Sequence, residues 1–187
     1  MVIGLTGGSG CGKTTALEVL REMGAACFDA DAVYHELLRT DAAMLTAINA
    51  AFPGSVENGV LLRKKLGAQV FGNPEALARL SAITQPRVVE AIRAQLGPGL
   101  SVIDAIGLLE SGLGAICDIT VAVTAPVEAR IARLTAREGV TRDYAAARIA
   151  AQKSNVEFSA ACDYTLENDG TQAEFRRKCR TLFETLI

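Results

Sequence analysis

The stretch IGLTGGSGCGKTT, residues 3–15, decides how the chain folds. A short apolar run over residues 2–6 meets a cluster of glycines, and TTALEVLREM then repeats apolar side chains at Ala16, Leu17, Val19 and Leu20, the spacing of a helix. The predicted order is strand, loop, helix. Glycine is costly to order, and a turn of purely structural purpose needs one or two; this stretch has five, so something must approach its backbone closely. Gly7, Gly12, Lys13 and Thr14 satisfy G-x-x-x-x-G-K-[ST] in the strand-to-helix context that gives that spacing its meaning. Backbone N–H groups of Gly8, Gly10, Cys11, Gly12, Lys13, Thr14 and Thr15 are then placed to wrap phosphate oxygens at a helix N-terminus. Lys13 is expected to reach the β- and γ-phosphates, and the Thr14 hydroxyl to ligate Mg2+. The glycines are read as clearing space for phosphate. A dinucleotide fingerprint fails, because G-x-G-x-x-G started at Gly8 ends on Lys13 and started at Gly10 ends on Thr15.

Working outward, Gly24 stops the helix, and AACFD over residues 25–29 reads as a second strand. Residues 32–96 look almost wholly helical, with breaks at Pro53-Gly54, Asn58-Gly59, Asn73-Pro74 and Gln85-Pro86 and no strand. LSVIDAI at 100–106 and ITVAVT at 119–124 are buried-type strands. Two helices over 126–138 and 142–153, joined at Gly139, and a last one over 172–186 complete the pattern. Strands alternating with helices imply a parallel sheet, an α/β fold.

Bulk properties exclude several classes of function. The chain has 187 residues, with 19 Lys and Arg against 21 Asp and Glu, so no global positive charge invites nucleic acid or an anionic membrane. No apolar run is long enough to span a bilayer. Cys11, Cys27, Cys117, Cys162 and Cys179 are widely spaced, without a C-x-x-C pair, and read as reduced thiols of a cytoplasmic protein. His35, the single histidine, reads as a surface residue of the first inserted helix.

Three further groups carry candidate chemistry. Asp104 ends the third strand, where it either holds a Mg2+-bound water or caps a helix. Asp104 and Gly107 also fit D-x-x-G, yet no guanine-reading N/T-K-x-D follows, which disfavours a GTPase. Asp29 and Asp31 leave the second strand at the phosphate-binding edge of the sheet; Asp31 is the candidate acceptor of a hydroxyl proton, and the structural alternative is that both cap the next helix. Arg130, Arg133 and Arg137 share one helix face, and Arg137 is the candidate for stabilising a transferring phosphoryl group; such a stripe alone is more often solvated.

Together these residues resemble the dephospho-CoA kinase family. The likeness rests on GLTGGSGCGKTT, the DAD at 29–31, LRKKL at 62–66 before Val70-Phe71, VIDAIGLLESGL at 102–113, the arginine-rich helix and DYTLENDG at 163–170. It implies a P-loop kinase core with a parallel sheet (about 1–31, 98–126 and 163–187), a helical substrate-binding insertion (about 32–97) and a helical lid (about 127–162). It implies ATP and Mg2+ as cofactors and dephospho-CoA as small-molecule substrate, phosphorylated on the ribose 3′-hydroxyl. Asp31 is then the general base, Arg137 a lid arginine, Arg63 and Glu110 substrate-side residues, Asn168 part of the nucleotide-base pocket, and Thr14 with Asp104 the metal side. The chain departs from the family pattern at Gln85-Pro86, at Ile106-Gly107 and after Gln152, where no arginine follows. The alternatives are a kinase for another nucleotide or small metabolite, or a nucleotide-binding module of reduced activity. No nucleic acid or membrane partner is expected, and the chain is read as a monomer or weak homo-oligomer.

Overall fold

The computed structural model describes Met1–Ile187 and divides into two compact units, Met1–Phe28 with Gly97–Ile187, and Asp29–Leu96. In the first unit, β1 (Val2–Thr6) leads through the glycine loop into α1 (Lys13–Glu22) and then β2 (Ala26–Asp29). Gly24, at φ 89°, turns the chain out of α1 as expected.

The second unit runs through α2 (Ala30–Thr40), α3 (Ala42–Ala51), β3 (Val56–Glu57), β4 (Val60–Leu61), α4 (Arg63–Val70) and α5 (Pro74–Arg93). Its helices bury their own core, built on Leu38, Met44, Ile48, Phe52, Leu66 and Leu80. Two expectations fail here. Asn58-Gly59 is a β-hairpin turn, with φ of 51° and 76°, joining the antiparallel strands β3 and β4. Pro86 does not break the chain but lies inside α5, whose Leu80, Thr84, Val88 and Ile92 form a buried stripe on both sides of it.

The chain returns through β5 (Ser101–Asp104), a 3-10 turn (Leu113–Ile116) and β6 (Ile119–Thr124). It continues into α6 (Val127–Glu138), α7 (Arg142–Ala150), α8 (Asn155–Ala160), β7 (Tyr164–Glu167) and α9 (Gln172–Leu186). The sheet order is β2-β5-β1-β6-β7. Pairings of β1 with β5, β1 with β6 and β6 with β7 are all parallel, with Ile3 opposite Val102 and Ile119. The fold is therefore α/β with a parallel sheet, and β7 adds a strand that was not anticipated. Ile3, Leu5, Val102, Val121 and Val123 pack with Leu20, Phe175 and Phe183 of α1 and α9 in one core. Apolar burial of this kind contributes about 25 cal/mol per Å2. The central position of β1 delivers the glycine loop to the C-terminal edge of the sheet, between the ends of β5 and β6.

Candidate active site

Gly7, Gly10 and Gly12 have φ of 141°, 76° and 107°, conformations that side chains resist. What crowds them is the protein itself. A Cβ on Gly7 would sit 2.2 Å from the Val123 carbonyl oxygen, one on Gly8 2.1 Å from Arg130 Nη2, and one on Gly12 2.3 Å from Asn168 Nδ2. The sequence reading gave these glycines only the task of clearing space for phosphate; their bare sides also admit β6, α6 and Asn168.

That approach fixes the loop's carbonyls. Arg130 Nε donates to Ser9 O at 2.9 Å, Arg133 Nη1 to Gly10 O at 3.2 Å, and Asn168 Nδ2 to Cys11 O at 2.9 Å. With the carbonyls held, the amides of Gly8, Gly10, Gly12, Lys13 and Thr14 find no oxygen acceptor in the chain, while those of Cys11 and Thr15 donate to Gly8 O (3.3 Å) and Gly12 O (3.0 Å). These five amides leading into α1, with the positive end of its dipole, form an anion nest. Of the seven expected phosphate-facing amides, then, those of Cys11 and Thr15 are already used within the loop.

Arg130 is 2% exposed and touches no carboxylate; burial pulls its guanidinium below its ordinary pKa. Its Nη2 donates to Gln152 Oε1 at 2.9 Å, the same atom accepts the Ser9 amide at 2.9 Å, and Gln152 Nε2 donates to Ser9 Oγ at 2.9 Å. Ser9, Arg130 and Gln152 form a closed polar network behind the loop. Sequence reasoning gave none of them this task. Arg130 and Arg133 were assigned to a face that is either solvated or aimed at substrate, and both instead brace the loop.

The remaining candidates fall as follows. Lys13 Nζ lies 3.3 Å from Gly7 O and 3.6 Å from Asp104 Oδ1, so loop lysine and β5 carboxylate are together. Thr14 is exposed in the first turn of α1. Thr14 and Asp104 offer hard oxygen donors, and the chain contains no group of three or more His, Cys, Asp or Glu that could hold a metal alone. This donor set fits Mg2+, which keeps waters and takes phosphate oxygens alongside one or two protein groups. Arg137 stands in the last turn of α6 beside a cavity of about 580 Å3 lined by residues 8–15, with its side chain 59% exposed and paired with Glu138. Glu110 pairs with Lys153; burial would raise its carboxyl, but the Lys153 hydrogen bond holds it below the usual range. Asn168 is buried, donating to Cys11 O at 2.9 Å and accepting from Arg133 Nη2 at 3.1 Å, so its amide braces the loop.

Asp31 and Arg63 belong to the second unit. Asp29 Oδ1 accepts the amides of Asp31 (2.9 Å) and Ala32 (3.1 Å), which makes Asp29 the cap of α2. Asp31, in the same turn, keeps an exposed carboxylate. Arg63 is the exposed first residue of α4, and its charge works against the rise that burial gives the Tyr34 hydroxyl.

A parallel sheet with a braced anion nest after its central strand, and a lysine beside a carboxylate at the same edge, defines a P-loop kinase. The sequence pattern of the dephospho-CoA kinase family matches residues 1–174. The chain is 40% identical over 177 residues to the dephospho-CoA kinase of Novosphingobium aromaticivorans, covering 92% of this chain and 88% of that protein. Among solved structures, TT1252 from Thermus thermophilus superposes with a TM-score of 0.80 at 30% identity, covering 100% and 98% of the two chains. The Campylobacter jejuni dephospho-CoA kinase shares the fold at a TM-score of 0.72 and 24% identity, covering 99% and 96%. This chain belongs to the dephospho-CoA kinase family.

Proposed function

We propose that the chain transfers the γ-phosphoryl group of ATP to the ribose 3′-hydroxyl of dephospho-CoA, giving CoA and ADP. The observation that carries this reading is the set of amides without an oxygen acceptor at Gly8, Gly10, Gly12, Lys13 and Thr14, in a loop held by Arg130, Arg133 and Asn168. A polyphosphate is the ligand that five such donors on one loop and a lysine suit. In the transfer, the bond from the γ-phosphorus to the β,γ-bridging oxygen breaks and a bond to the 3′-oxygen forms. The 3′-hydroxyl proton passes to the Asp31 carboxylate and then to water. Lys13 neutralises charge on the β- and γ-oxygens, and Arg137 charge on the group in flight. Thr14 and Asp104 would hold Mg2+, which would supply positive charge to the phosphates. Arg63 and Glu110 serve the acceptor side. All five cysteines are free, which fits a reducing cytoplasm.

The test is ADP release by purified protein with ATP, Mg2+ and, in turn, dephospho-CoA, nucleoside monophosphates and nucleosides. Dephospho-CoA is expected to give turnover well above the others; equal or better turnover with another acceptor replaces this substrate assignment. Lys13→Ala should weaken ATP binding by at least about tenfold, one lost charge-assisted contact. Asp31→Asn should leave ATP affinity intact and lower kcat by about 100-fold or more. Loss of both together in Asp31→Asn would make Asp31 a structural residue of α2.

A further inference from the structure

The wall of the loop cavity carries Arg148, to which nothing above gives a task. Arg133, Arg137 and Arg148 all line this cavity of about 580 Å3 beside residues 8–15. Arg133 is engaged with the carbonyl of Gly10 and with Asn168. Arg137 and Arg148, from the ends of two different helices, instead meet on one carboxylate: Arg148 Nη1 is 2.7 Å from Glu138 Oε2, and Arg137 Nη2 holds Glu138 Oε1. One carboxylate leaves this pair of guanidiniums with a net positive charge at the cavity rim.

A purely structural purpose for this cluster accounts for it poorly. The α6–α7 hairpin already has its own apolar core of Ile131, Leu134, Ala145 and Ile149. Glu138 is the last residue of α6, the end at which the helix dipole disfavours a carboxylate. The Arg148 side chain is 38% exposed, unlike that of Arg130, so it is free to change partners. Hydrogen bonding from Arg137, and then from Arg148, holds the Glu138 carboxyl below the usual range, so Glu138 stays ionised at neutral pH. A proton therefore does not release the arginines; a more highly charged anion does.

We propose, building on the phosphoryl-transfer reading, that Arg148 is a second catalytic arginine, which with Arg137 leaves Glu138 for the oxygens of the transferring phosphoryl group. Glu138 is the positioning residue that keeps both forks at the cavity rim before nucleotide arrives. Neither arginine exchanges a proton; each contributes charge and planar donors as the bond to ADP breaks and the bond to the acceptor forms. Arg148 stands one helical turn before Gln152, on the segment where the family pattern's arginine after that glutamine is missing.

The experiment compares binding of Mg2+–ADP alone with binding of Mg2+–ADP plus aluminium fluoride, a mimic of the phosphoryl group in flight, alongside kcat and the KM for ATP. Arg148→Ala should keep ADP affinity within about threefold while the tightening by aluminium fluoride, and kcat, fall by about 100-fold or more. Arg148→Lys should recover only a small part, because charge returns without the fork. Glu138→Gln should bind ADP at least as tightly as the parent, the arginines no longer having a competing anion. An Arg148→Ala chain that keeps both kcat and the tightening overturns the proposal. So does one that loses ADP affinity and melting temperature along with them, which would make Arg148 a brace. The nucleotide readout needs no acceptor: tightening in the parent without turnover of dephospho-CoA removes the substrate reading and leaves the arginine assignment, turnover without tightening removes the arginine assignment alone, and neither removes both.

Discussion

A methyl group added to Gly7 has no place to go, since its backbone sits at φ 141° and the Val123 carbonyl oxygen would be 2.2 Å from the new carbon. Strain and clash coincide there, so Gly7→Ala should lower unfolding free energy by about 2 kcal/mol or more and abolish nucleotide binding. Gly54, at φ 76° with open space around it, isolates the backbone contribution: Gly54→Ala should cost only about 1 kcal/mol and leave binding unchanged. Urea unfolding with calorimetric nucleotide titration checks both. At this scale the motif residues were legible because their meaning is local: Gly7, Gly12, Lys13 and Thr14 are fixed by spacing along one turn. Arg130 was not, because a stripe at i, i+3 and i+7 tells which side chains share a face but not what that face meets. Asp29 and Asp31 were separable only in three dimensions, where one carboxylate is turned back onto the α2 amides and the other is not.

Among the elements, β1, β6 and α9 follow the pattern of apolar residues closely, while α5, the β3–β4 hairpin and β7 do not. Pro86 has no amide to give the carbonyl four residues back, and its ring crowds that turn, which in isolation disfavours a helix by about 3 kcal/mol. The stripe Leu80, Thr84, Val88 and Ile92 runs through it with i+4 spacing, and burying both halves on one face outweighs the defect. Pro86→Ala should accordingly raise the unfolding free energy of the second unit by about 1–2 kcal/mol, less than the full defect because the unfolded chain regains freedom. Hydrogen exchange of the α5 amides reads it directly; unchanged protection would mean the helix had already relaxed around the proline. The hairpin was missed although Asn-Gly is its strongest local sign, because β3 and β4 have two residues each, too short for alternation to register. β7 buries only Leu166 of its four residues, so its pairing with β6 dictates its form and its composition does not.

For the molecule as a whole, the five cysteines share one property. Burial raises the pKa of every one, Cys117 and Cys179 to about 12, so none is a thiolate at neutral pH. The native chain should react with a thiol-exchange reagent at pH 7 far more slowly than the same chain in denaturant, and one fast thiol in the native chain would contradict this. Acid should act in the opposite sense. Asp163 accepts from the Thr120 amide and hydroxyl, both at 2.7 Å, and these bonds hold its carboxyl below the unfolded value. Its contribution is complete above the unfolded carboxylate range and is lost as pH drops through the lower folded value. The melting temperature should therefore fall below about pH 4, and Asp163→Asn should flatten that fall.

The sequence distances behind the loop carry one more consequence, for synthesis. The glycine stretch is synthesised well before the groups that hold it, since Arg130, Gln152 and Asn168 lie 121 to 157 positions later than the atoms they bind. A growing chain therefore carries its most recognisable segment long before that segment has a shape. The brace is complete only once Asn168 has been made, so a chain truncated before that residue should bind triphosphate weakly, which a nucleotide titration of the truncated chain checks.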